Sequence, residues 1–222
     1  MKLALLSDPS SVNGLQAIKL VLNAQQKAVA KVGYIASGPE PDRHYFRQTQ
    51  VLYKNLGARL VCYLELETGF DEESLVELFS CDVIHLAGGD TFRFLKGLHH
   101  RRLIPRLREY AMAGGALIGV SAGAMIMTPS IESAPLCGDS NDVGLDNLLA
   151  LSLTPFHFMP HLPAGFTTPV DFIAYLHKRG VAFDDSLFEY LYLCQDTAAI
   201  TVIDGKVDEI GEPLLWTCCI EV

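Results

Sequence analysis

The sequence is poor in charge and poorer still in base. Only 19% of its 222 residues are charged, and 26 acids outnumber 17 bases for a formal net charge of −9. A nucleic-acid partner calls for a basic patch, so this balance argues against one. Long apolar runs are missing too. None approaches the roughly 20 residues of a membrane-spanning helix, and Lys2 and Asp8 break the N-terminal run too early for a secretion signal. The expectation is a cytoplasmic protein with no membrane partner. The six cysteines (Cys62, Cys81, Cys137, Cys194, Cys218 and Cys219) form no C-x-x-C. Their scatter through apolar stretches points to reduced, mostly buried thiols. His99-His100 and Cys218-Cys219 are adjacent pairs without the spacing of zinc ligands, so neither a metal nor another cofactor is expected. Repeats, low-complexity tracts and linkers are absent, which predicts one domain over residues 1–222.

What the sequence does contain is an alternation. Short apolar runs at Lys2–Ser7, Lys31–Ala36, Arg59–Leu64, Val83–Leu86 and Ala116–Val120 read as buried strands. Segments of helical period lie between them, at Gly14–Ala30, Tyr45–Leu56, Ser74–Phe79, Phe92–Leu98 and Leu103–Ala113. Such alternation implies an α/β fold: a doubly wound, mostly parallel sheet flanked by helices. After Pro129 the pattern loosens. Glu132–Asp146 is acidic and turn-rich and reads as a surface loop. Leu151–Phe158 reads as a strand despite Pro155, and Val170–Lys178 as a helix. Tyr190–Leu193, Thr197–Ile203, Lys206–Ile210 and Leu214–Val222 read as strands, with Asp204-Gly205 as a hairpin turn. This last part predicts an antiparallel C-terminal extension of the sheet, and its apolar end suits either core or a homodimer contact.

One stretch carries chemistry. Gly119-Val120-Ser121-Ala122-Gly123 is a G-x-S-x-G motif between an apolar strand and a helix start. A serine at the apex of a strand–turn–helix is a nucleophile elbow. A plain N-cap serine would look the same in isolation. Gly88-Gly89 ends an earlier strand, and its backbone could approach a substrate closely. Ligands in doubly wound sheets bind at the carboxyl ends of the strands, where both motifs fall.

A serine nucleophile needs a base. Of the seven histidines, His99 and His100 adjoin Arg101-Arg102, His44 and His177 lie on polar helices, and His85 sits within a strand as a structural residue. His161 and His157 remain, and strand alternation favours His161. The orienting acid would come from the polar loop: Glu132, Asp139, Asp142 or Asp146.

Three stretches in order carry a resemblance: A-G-G-D-T-F-R-F-L (Ala87–Leu95), I-G-V-S-A-G-A (Ile118–Ala124) with T-P-S-I (Thr128–Ile131), and F-H-F-M-P-H (Phe156–His161). Together they resemble the peptidase E family of serine peptidases, related to cyanophycinase. The resemblance covers most of the chain. It implies a class I glutamine-amidotransferase-like fold, Ser121 as nucleophile and His161 as base. It also implies oxyanion donors from Gly89 (or Gly88) and Ala122, and a short peptide as substrate. The elbow residue is Ser where amidotransferases carry Cys, which disfavours glutamine hydrolysis. The sequence departs from the family at two places. Ungapped counting puts Leu136 near the expected acid, leaving Asp139 as first choice and Asp142 as second. Where members specific for aspartyl dipeptides resemble one another in a G-E-T-R stretch, this sequence reads Gly165-Phe166-Thr167-Thr168. The missing Arg predicts that specificity for Asp-X dipeptides is not strict. A non-catalytic binding protein on the same fold and an amide or ester hydrolase using the same pair are the alternatives.

Overall fold

The computed structural model describes residues 1–218. In chain order the elements begin β1 (Lys2–Leu6), α1 (Val12–Ala24), β2 (Lys31–Ile35), α2 (His44–Asn55), β3 (Arg59–Leu64) and α3 (Glu72–Ser80). Next come β4 (Val83–Leu86), α4 (Thr91–His100), α5 (Leu103–Met112), β5 (Ala116–Val120) and the short α6 (Ala122–Ile126). The last part holds β6 (His157–Met159), α7 (Pro169–Lys178), β7 (Tyr190–Leu193), β8 (Ala199–Ile203), β9 (Lys206–Ile210) and β10 (Leu214–Thr217). Residues 219–222, the end of the expected terminal strand and Cys219 among them, lie outside the described residues.

Seven strands form one sheet in the order β3-β2-β4-β5-β1-β8-β9. The first five are parallel to one another, whereas β8 pairs antiparallel with β1 and with β9. This is the expected doubly wound α/β sheet with an antiparallel extension, made by β8 and β9 alone; β7 and β10, read from sequence as part of that extension, lie in a separate sheet. Its strands read as unbroken apolar runs because helices cover both faces. Leu3 and Leu5 enter one core with Ile84, Leu86 and Leu117, while Ala4 and Leu6 enter the other with Val32, Val83 and Ile118. Side chains are polar where helices begin. Ser11, Asp71, Asp90 and Thr168 each accept a backbone N–H of the first turn, as capping residues do.

A second sheet, β10-β7-β6, carries a smaller core with α7, in which Phe172, Leu176 and Leu191 are buried. Leu214 and Trp216 pack against that core.

Two readings of the loosened region need correction. The expected strand over Leu151–Phe158 shrinks to His157–Met159. Its first half closes the end of α6 instead: Leu151, Ser152 and Leu153 N–H donate to the carbonyls of Ile126, Thr128 and Met127 at 2.8–2.9 Å. Those carbonyls have no partners within so short a helix, and the passing backbone satisfies them. Glu132–Asp146 is not wholly a surface loop either. Ala134–Cys137 makes a 3-10 turn that buries Ala134 and Leu136, and the chain turns outward only beyond it.

Candidate active site

Ser121 stands between β5 and α6, and the reason for this tight strand–turn–helix lies in close packing. Ser121 has φ 50° and ψ −109°, a backbone conformation that costs a non-glycine residue energy. Its N–H donates to the Leu6 carbonyl at 2.7 Å, and its own carbonyl accepts from Ala124 and Met125 N–H at 2.9 and 3.1 Å. The turn is therefore tied to β1 on one side and to α6 on the other. Both flanking glycines sit where backbone meets backbone. A Cβ at Gly119 would lie 2.4 Å from the Gly123 carbonyl oxygen, and one at Gly123 would lie 2.1 Å from that of Leu86.

The Ser121 hydroxyl donates to His161 Nε2 at 2.9 Å. The other ring nitrogen, Nδ1–H, donates to Asp196 Oδ1 at 2.6 Å. This tautomer is the one both contacts require. The histidine and aspartate side chains remain 46% and 61% exposed, so water reaches the serine–histidine contact. His161 lies just past β6 at φ 59°. Its N–H donates to Ser7 Oγ at 3.3 Å, Ser7 Oγ–H donates to the Cys194 carbonyl, and Leu162 N–H donates to that same carbonyl. Ser7 at the end of β1 and Cys194 at the end of β7 thus fix the loop that carries the imidazole.

Asp196 was not among the expected acids. It sits between β7 and β8 in a turn closed by Ala198 N–H on the Gln195 carbonyl. Its signal in the sequence was slight: a Gln-Asp-Thr turn after an apolar strand, 35 residues beyond the histidine.

Asp139, the first choice from sequence, is not brought to His161. Its carboxylate accepts from the Thr91 hydroxyl at the start of α4. The 3-10 turn before it draws Leu136 inward and sends Asp139 toward α4 rather than toward β6. Glu132 accepts from Ser130 Oγ at 2.6 Å, and that hydroxyl also meets His157 Nε2 at 3.1 Å. His157 is thus paired away from Ser121. Its burial lowers its pKa, against a smaller opposing pull from Glu132. Asp142 and Asp146 are exposed loop residues. His85 is structural as expected: fully enclosed, it meets Tyr53 Oη at 3.0 Å and stacks on Tyr34.

Gly88 and Gly89 lie beside the elbow. A Cβ on Gly88 would come within 3.5 Å of Ser121 Cβ. Gly89 has φ 136°, and a Cβ there would strike Ser37 Oγ at 2.3 Å. That hydroxyl donates to the Gly88 carbonyl at 2.6 Å and so holds the turn. Ala122 is fully buried as the first residue of α6.

Two cavities flank the pair. One of about 880 Å³ has Gly88, Gly89 and Val120 on its wall. The other, of about 160 Å³, is lined by His161, Leu136, Phe172 and Arg179. The Arg179 guanidinium donates to Tyr175 Oη at 2.5 Å. Among the described residues, no three His, Cys, Asp or Glu side chains gather as a metal-ligand set, and no helix is long and apolar enough to cross a membrane.

Known proteins are similar to this chain in sequence and in fold. Peptidase E of Haemophilus influenzae is 30% identical over 196 residues, covering 83% of this chain and 81% of that protein. Peptidase E of Pasteurella multocida is 30% identical over 144 residues, 64% of this chain, and the match spans only 56% of that relative's length. A crystal structure from Listeria monocytogenes EGD-e superposes with a TM-score of 0.71 at 26% identity, covering 94% of this chain and 96% of the other. The model of peptidase family S51 matches residues 3–210, and the chain belongs to that family.

Proposed function

We propose that the protein is a serine peptidase acting on short peptides in the cytoplasm, as one domain, with Ser121, His161 and Asp196 as its catalytic triad. The observation that carries this reading is the pair of contacts on His161, one to the serine at the strained elbow and one to a carboxylate. Ser121 Oγ attacks the peptide carbonyl while His161 Nε2 takes its proton. Asp196 holds the imidazole in the tautomer that leaves Nε2 free to accept, and stabilises the imidazolium that forms. The oxyanion develops against the backbone N–H groups of Gly89 and Ala122. His161 then protonates the leaving amine, and water admitted through the open face hydrolyses the acyl-enzyme. The lack of an Arg at Gly165-Phe166-Thr167-Thr168 supports a specificity broader than Asp-X, because a desolvated substrate carboxylate needs a cationic partner, and Arg179, which shares the small cavity with His161, donates to Tyr175.

Intact-protein mass after incubation with a fluorophosphonate tests the reading. A single adduct on the wild type that Ser121→Ala abolishes is the expected result. Well-folded wild type that stays unmodified would overturn it in favour of a binding protein on the same fold. Peptide and ester substrates then separate a peptidase from an esterase.

A further inference from the structure

We infer that the 880 Å³ cavity beside Gly88-Gly89 receives the acyl side of the substrate, and that this part is a bulky apolar or aromatic residue. The inference rests on the proposed peptidase reading and adds the substrate class to it. Position is the first argument. In the attack by Ser121 the leaving amine must face His161, which supplies its proton. The acyl residue must then extend away from His161. His161 lines the small cavity and is absent from the wall of the large one, which instead includes Gly88, the residue packed on Ser121.

The lining is the second argument. The walls are largely apolar, with Leu15, Val120 and, from α2, Tyr45, Val51 and Leu52. A surface helix usually buries one whole stripe, yet α2 has only Tyr53 fully buried. Tyr45 and Val51 stay 64% and 59% exposed on the cavity side of this helix. The volume lies in the range of specific ligand pockets, roughly 300–1,000 Å³.

Charge is the third. The wall contains no Lys or Arg, and its acidic residues are Asp8 and Glu40. Its one histidine, His85, is held neutral by burial. The Arg93 guanidinium beside Gly38 is engaged by Glu67, so an acidic side chain finds no Lys or Arg on the wall to pair with, while an apolar one gains from leaving water.

The test compares kcat/KM for Phe-Leu, Leu-Leu, Ala-Leu and Asp-Leu, with fluorophosphonate labelling of Ser121 on every sample. The expected result is Phe-Leu at least tenfold above Ala-Leu, with Asp-Leu lowest. Thr49→Trp, which fills the cavity, and Val51→Asp, an exposed substitution that should fold normally, should each shrink the Phe-Leu to Ala-Leu ratio severalfold. A labelled enzyme that cleaves Ala-Leu or Asp-Leu as well as Phe-Leu would overturn the subsite and leave the peptidase reading standing. So would an unchanged ratio in both variants. Failure of the wild type to label would overturn both.

Discussion

Asp196 Oδ1 lies 2.6 Å from His161 Nδ1 although 35 residues separate them in the chain, and β7 is what joins them. β6 and β7 run parallel as neighbours, with Met159 beside Leu193. The residues just beyond both strand ends therefore arrive at one place. Replacing Asp196 with Asn should keep the fold but favour the wrong imidazole tautomer. A loss of about 10³–10⁴-fold in kcat is expected, read in steady-state peptide hydrolysis. Asp139→Asn in the same assay should change kcat little, and a comparable loss there would reassign the acid.

Asp139 instead anchors the loop to Thr91 at the head of α4. Its substitution by Asn should cost about 1 kcal/mol of stability. In a chain of this size that is a fall of roughly 2–4 °C in Tm. Thr91→Val should cost about the same, and the double variant little more than either, because both remove one contact. Scanning calorimetry of the three variants gives the answer.

The elbow glycines should tolerate nothing larger. Gly123→Ala places a methyl group 2.1 Å from the Leu86 carbonyl oxygen, a contact only backbone movement can relieve. Overpacking of this kind costs about 1–3 kcal/mol or more, and urea unfolding should show a loss of at least that size. Gly138, where no atom lies near an added Cβ, supplies the contrast. Ala there should cost about 1 kcal/mol, from its positive φ alone.

His85 should set part of the acid limb of stability. Burial pushes its pKa down to about 3 from an ordinary 6.5. The unfolded chain thus binds a proton that the folded one refuses. That contribution is complete above pH 6.5 and is lost as the pH falls toward 3, at up to about 1.4 kcal/mol per pH unit. His85→Leu strands the Tyr53 hydroxyl and lowers stability at neutral pH. It should also flatten the slope between pH 6 and 4 in chemical denaturation, and an unaltered slope would show that His85 is protonated in the fold.

The sequence by itself determined the alternating strands and helices and the glycine turn at Ser121, because these signals are local. Buried parallel strands read as apolar runs, and the glycines around Ser121 mark a turn whose constraints lie within a few residues. His161 stood out as the residue just past an apolar stretch, of which only His157–Met159 forms a strand. Only the tertiary structure decided which carboxylate meets His161. Two carboxylates of similar sequence context, Asp139 and Asp196, both sit in polar turns, and nothing local separates them. The pairing of β6 with β7 brings one to the imidazole, and the inward 3-10 turn at Ala134–Cys137 carries the other to Thr91. The large cavity was equally invisible in sequence. Its wall is assembled from the ends of β1, β2, β4 and β5 and from the face of α2, and side chains so far apart in the chain meet only when the sheet has formed.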